Sequence, residues 1–141
     1  MRVQKAIWLV AIAIYFLLCG CGPTSTSTWS AEAQSPDGHW LAVARSEQWS
    51  GPGNAYDATT VYLKSLKGSQ PPTQVLGFSH QYATMNLKME WVTPTHLHVA
   101  YAESSRPGDH VSMDFQVVKC AGVDISVQHL SGDATSDEKS K

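Results

Sequence analysis

Apolar and polar residues alternate through most of the second half of the chain. Leu87, Met89 and Trp91 share one side of the run 86–92, with Lys88 and Glu90 on the other. Leu97, Val99 and Tyr101 alternate with His96, His98 and Ala100. Val111, Met113, Phe115 and Val117 alternate with Ser112, Asp114 and Gln116, and Val123, Ile125 and Val127 with Asp124, Ser126 and Gln128. A period of two puts each apolar set on one face of a half-buried strand. The first half is sparser: Leu41 with Val43, Val61 with Leu63, and a weaker Val75-Leu76. No stretch after residue 21 has a 3.6-residue period.

Turn chemistry separates these runs. Ser35-Pro36-Asp37-Gly38 places Pro second and Gly fourth, as a type I turn favours. Thr93-Pro94-Thr95 joins two strands tightly, and 104–109 (SSRPGD) and Ala121-Gly122 are further breaks. Residues 46–57 (SEQWSGPGNAYD) read as a long loop. The pattern predicts an all-β domain over 29–130 with about seven or eight short strands. Short connections predict antiparallel pairing, because a parallel crossover needs a dozen or more residues. A single small sandwich or a rolled sheet fits, and so does a small barrel.

The N-terminus follows another pattern. After Arg2 and Lys5, residues 6–18 run for thirteen positions without a charge. That is short of the roughly 20 apolar residues of a membrane-spanning helix and suits a signal-peptide core. Leu18-Cys19-Gly20-Cys21 follows and resembles the lipobox of bacterial lipoprotein precursors. The resemblance implies that residues 1–20 are a signal peptide and that Cys21 is acylated with palmitate-like chains. Ala31-Glu32-Ala33 has the form of an ordinary secretory cut but lies far beyond the apolar run; an uncleaved signal anchor is the other alternative. Buried acyl carbon contributes about 0.8 kcal/mol per CH₂, so several chains hold a protein on a bilayer. Gly22 stands where an Asp would resemble an inner-membrane retention signal, which implies the outer membrane, facing the periplasm. Residues 21–28 read as the lipidated Cys and a flexible tether; the seven after the Cys span about 25 Å at most. Residues 131–141 offer no bulky apolar side chain and read as a disordered tail.

Composition changes this picture little. The 141 residues are 43% hydrophobic with net charge −2. Loss of Arg2 and Lys5 with the leader leaves eight basic against twelve acidic residues, net −4. Nucleic-acid binding calls for clustered positive charge, so that class of partner is excluded. Cysteines at 19, 21 and 120 supply neither a disulfide framework nor a four-ligand zinc site.

The chemistry-bearing residues are few. There is no G-x-S-x-G, no P-loop and no dinucleotide fingerprint, so neither an enzyme nor a cofactor is expected. His96 and His98, two apart on a strand, project from one face, as metal ligands on a strand do. His80, His110 or Glu90 would be the third ligand of a zinc or copper site. The same alternation makes both histidines ordinary surface residues. Cys120 is the one thiol left beside an acylated Cys21, with no fixed base to activate it. Trp49 and Tyr56, among Gly51, Gly53 and Asn54, resemble the exposed aromatics of a loop that binds sugars or proteins; Trp49 as a plug on the sheet end is the alternative. Trp29 and Trp40 read as packing residues beside the first strands.

Ser35–Gly38 with His39-Trp40-Leu41-Ala42-Val43 resembles the opening of a blade in Tol-type β-propellers. Four blades of about 40 residues each do not fit in this chain. A closer resemblance is to a family of bacterial lipoproteins with one small β-domain. It rests on the SPDG turn, Ala58-Thr59-Thr60, Val61-Tyr62-Leu63, Trp91, Thr93-Pro94, 97–101 and 122–126. Many members carry a Cys before Ala-Thr-Thr; Asp57 stands there in this chain, so no disulfide is implied. The family implies a β-fold and an envelope location and lends no activity. The expectation is a non-enzymatic envelope module that binds a protein or glycan. The alternatives are a metal-binding envelope protein using His96 and His98, or a purely structural lipoprotein.

Overall fold

The computed structural model describes residues 24–51, 54–80, 85–102 and 111–130. Among them there is no helix, and nine strands form two sheets. The strands are β1 (Thr24–Gln34), β2 (Trp40–Gly51), β3 (Asn54–Ser65), β4 (Thr73–His80), β5 (Asn86–Thr93), β6 (His96–Ala102), β7 (Val111–Gln116), β8 (Lys119–Cys120) and β9 (Val123–Leu130). One sheet has the order β1-β2-β3-β4-β7 and the other β5-β6-β9-β8. Both contribute to one core, so the expected all-β sandwich is observed; the two sheets do not close into a barrel.

The alternating runs build that core as their period dictates. Leu97, Val99, Val123 and Ile125 are buried, while Leu87, Met89 and Trp91 pack against them from β5. The opposite sheet supplies Val61, Leu63, Val75, Leu76 and Phe78. From β2 the inward residues are Ala42 and Ala44, with Trp40 alongside, rather than Leu41 and Val43. The run 40–44 is apolar on both faces and carries no period to read. Across the sandwich the rings of Phe78 and Tyr101 meet at 4.9 Å with a 52° tilt, an arrangement aromatic quadrupoles favour.

Three expectations are corrected. Pairing is not wholly antiparallel: β6 and β9 run parallel, with His98 opposite Ser126. These strands are not consecutive. The chain crosses from β6 to the other sheet through β7 and returns through β8, which gives it the length a parallel crossover requires. Second, the segment 46–57 is not a loop. β2 and β3 pair without a shift from Trp40↔Ser65 to Gly51↔Asn54, a hairpin whose polar cross-strand pairs hide it from an apolar-pattern reading. Third, Phe115 does not join Val111 and Met113 in the core. A bulge leaves Asp114 unpaired, so Met113 faces Phe78 while Phe115 faces Gly77 and stays 43% exposed. One inserted residue turns the following side chain to the other face.

Turns follow the sequence closely. Gly38 N–H donates to the Ser35 carbonyl at 2.9 Å, closing the expected turn. Ser35 Oγ donates to Asp37 Oδ1 at 2.6 Å and accepts from Trp40 N–H at 2.9 Å. Ala121 and Gly122 both have positive φ, 49° and 85°, the two-residue hairpin geometry that matches strand twist. β1 begins at Thr24, so its first five residues pair along β2 within the segment expected as tether.

Candidate functional site

β1 and β5 are the edge strands of their respective sheets. Where they part lies an open cleft of about 650 Å³, within the size range of ligand sites. Thr28 and Trp29 of β1, Ser46 and Gln48 of β2, Asp57 of β3 and His80 of β4 form one wall. Met85, Asn86, Leu87 and Lys88 face them, with Ala100, Ala102 and Leu130 completing the lining.

A β-bulge delivers Trp29 to this cleft. Ser27 pairs with Glu47, whereas Trp29 pairs with Ser46, leaving Thr28 as the extra residue. Without it, Trp29 and Ser27 would share the outer face. With it, Trp29 joins Ala31 and Ala33 on the inner face and stays 38% exposed at the cleft wall. Re-aiming a side chain beside a site is a recurring use of bulges. Thr28 Oγ1 donates to the Ser46 carbonyl at 3.3 Å and fixes the distortion.

The floor of the cleft is polar. Leu76 and Phe78 are buried, and the same alternation carries His80 onto their face at 7% exposure. Its Nε2 lies 3.0 Å from Thr59 Oγ1, which lies 2.7 Å from Ser46 Oγ. Each hydroxyl both donates and accepts, so this chain runs in either direction and admits either His80 tautomer. His80 Nδ1 is the one buried side-chain nitrogen or oxygen among the described residues that has no hydrogen-bond partner. Leaving such a group unsatisfied costs about 1–3 kcal/mol, so a bound group that reaches it would gain accordingly. Asp57 stands opposite His80 in the β3–β4 register. Lys88, across the cleft, carries the opposite charge and pairs with Glu90 at 3.4 Å. The lining therefore has no excess of either sign, which does not suit a highly charged ligand.

The expected site residues lie elsewhere. Trp49 and Tyr56 are cross-strand partners on the β2–β3 hairpin, rings 6.2 Å apart and 8° from parallel. They alternate with Gln48 and Asp57, so they face away from the cleft. His96 Nε2 and His98 Nδ1 both meet Ser126 Oγ, at 2.8 and 3.0 Å. They do share one face, on the outside of their sheet, whereas His80 is on the inner face of the other sheet. Among the described residues no group of three or more His, Cys, Asp or Glu is placed to hold a metal ion. Cys120 is a free, half-buried thiol packed against the core. Cys21 and His110 lie outside the described residues, and no helix among those residues is long and apolar enough to cross a membrane.

Trp29, Asp57, His80 and Lys88 were thus not assembled from the sequence. One signal was present: His80 continues the buried alternation of Leu76 and Phe78, placing a polar residue on a core face. The bulge at Thr28 leaves no such trace. Comparison with known proteins finds no matching family model, no matching curated protein and no matching solved structure.

Proposed function

We propose that the chain is a lipid-anchored, non-enzymatic binding module of the bacterial cell envelope, with the cleft between β1 and β5 as its ligand site. The lipobox-like Leu18-Cys19-Gly20-Cys21 supports the anchor. The cleft carries the binding reading: an open space of ligand size with Trp29 in its wall and the orphaned Nδ1 of His80 buried at its floor. Its mixture of hydroxyl, amide and aromatic surface suits a segment of an envelope protein or a glycan. Nothing at the cleft pairs a nucleophile with a base that is itself oriented by a third group, the arrangement covalent catalysis requires.

Two measurements test this reading. Radiolabelled palmitate should enter the wild-type chain and not Cys21→Ala, which should also leave the membrane fraction. A photocrosslinker attached through Trp29→Cys should capture one recurrent envelope component that the same label at Val92→Cys, on an exposed part of β5, does not. Equal labelling of both chains would overturn the anchor, and equal capture from both positions would overturn the cleft.

A further inference from the structure

The strand register places the exposed aromatic rung beside the lipid anchor. Gly22 and Pro23 alone separate Cys21 from β1. Three Cα-to-Cα steps cover at most about 11 Å, so Thr24 stays within that distance of the acylated residue. Thr24 pairs with Ser50 and Ser25 with Trp49, and Trp49 pairs in turn with Tyr56. The end of the sandwich that carries the anchor is therefore the end that carries the β2–β3 hairpin.

That hairpin also projects. β4 ends at His80, opposite Asp57, so the rung of Trp49 and Tyr56 lies beyond the last residue of the neighbouring strand. The two rings are nearly parallel, and Tyr56 is 47% exposed. Tryptophan and tyrosine present an apolar body and a polar edge, which suits the headgroup layer of a bilayer. Residues 47–57 include Glu47 and Asp57 and no Lys or Arg. Attraction to anionic lipid cannot hold this hairpin, whereas aromatic partitioning can.

We infer that the Trp49–Tyr56 rung rests in the lipid headgroup layer and forms a second, non-covalent contact that orients the sandwich on the membrane. This rests on the anchor proposed for Cys21 and is independent of what the cleft holds. It assigns the two exposed aromatics to lipid rather than to a sugar or a protein. It also sets the cleft close above the bilayer, because Gln48 and Asp57 are the next residues along the same two strands.

The test uses the acylated chain reconstituted into phosphatidylethanolamine/phosphatidylglycerol vesicles, with and without brominated acyl chains. Four tryptophans remain after loss of the leader: Trp29, Trp40, Trp49 and Trp91. The chain should float with the vesicles, its tryptophan emission should fall in brominated lipid, and Trp49→Phe should abolish that fall. The quenching should be unchanged by added salt. A chain that floats without quenching overturns the inference and leaves the anchor standing. Quenching that persists in Trp49→Phe assigns the contact to another tryptophan and equally overturns it. A chain that does not float overturns the anchor itself, and the inference with it.

Discussion

The indole N–H of Trp91 donates to the main-chain carbonyl of Ala33 at 3.0 Å, bridging the edge strands of the two sheets. Ala33 and Trp91 lie on the C-terminal side of the cleft residues of β1 and β5 respectively, so this bond closes one end of the opening. Trp91→Phe keeps an aromatic ring and leaves the carbonyl without its donor. The expected loss is about 1–2 kcal/mol in urea unfolding, together with weaker capture from a label at position 29. An unchanged unfolding midpoint would show that the bridge contributes nothing.

Phe78 and Phe115 separate core from surface on adjacent strands. Phe78 is 1% exposed and packs on Tyr101, whereas the bulge at Asp114 turns Phe115 outward. Phe78→Ala should cost about 3–5 kcal/mol, and Phe115→Ala less than about 1 kcal/mol. Equal losses in denaturant titration would contradict the bulge.

These two residues also show how far the sequence was legible. Alternation in β5, β6 and β9 was enough to name their inward residues, because a half-buried strand must repeat every two positions. It failed on β7 and β1, where one extra residue inverts the phase and no side chain announces the insertion. It failed on the β2–β3 hairpin too, since strands held by backbone pairing and polar rungs have no apolar rhythm. The cleft was hidden for the same reason: the bulge at Thr28 and the meeting of two edge strands create it. His80 alone was within reach, as a polar residue in phase with Leu76 and Phe78.

Ala121 occupies a left-handed conformation at φ 49° in the β8–β9 turn. A side chain with Cβ is strained there, and Asn is favoured at that place in such hairpins. Ala121→Asn should raise stability by about 0.5–1 kcal/mol without altering the fold. A lower midpoint in thermal or urea unfolding would argue against this turn geometry.

Asp37 links the first turn to pH. Its carboxyl is held below its ordinary value of 3.8, first by the hydrogen bond from Ser35 Oγ and then by the backbone and ring of His39. A carboxyl with a lowered folded-state pKa stabilises the fold above the unfolded value, and that stability disappears as pH falls through the folded value. Urea midpoints of the wild type should therefore fall more steeply below pH 3.8 than those of Asp37→Asn. Parallel curves for the two chains would show that the turn does not favour the carboxylate.

Protection of the cleft in its native setting tests binding most directly. Trp29→Cys and Trp49→Cys, each in a Cys120→Ser background, would be exposed to a thiol reagent in intact envelopes and as purified chains in detergent. Position 29 is expected to react readily in the purified chain and to be protected in the envelope in a manner that extraction of soluble components and glycan abolishes. Position 49 should keep its protection after that extraction, for as long as the bilayer remains. Equal reactivity of position 29 in the envelope and in the purified chain would contradict a cleft that holds a ligand.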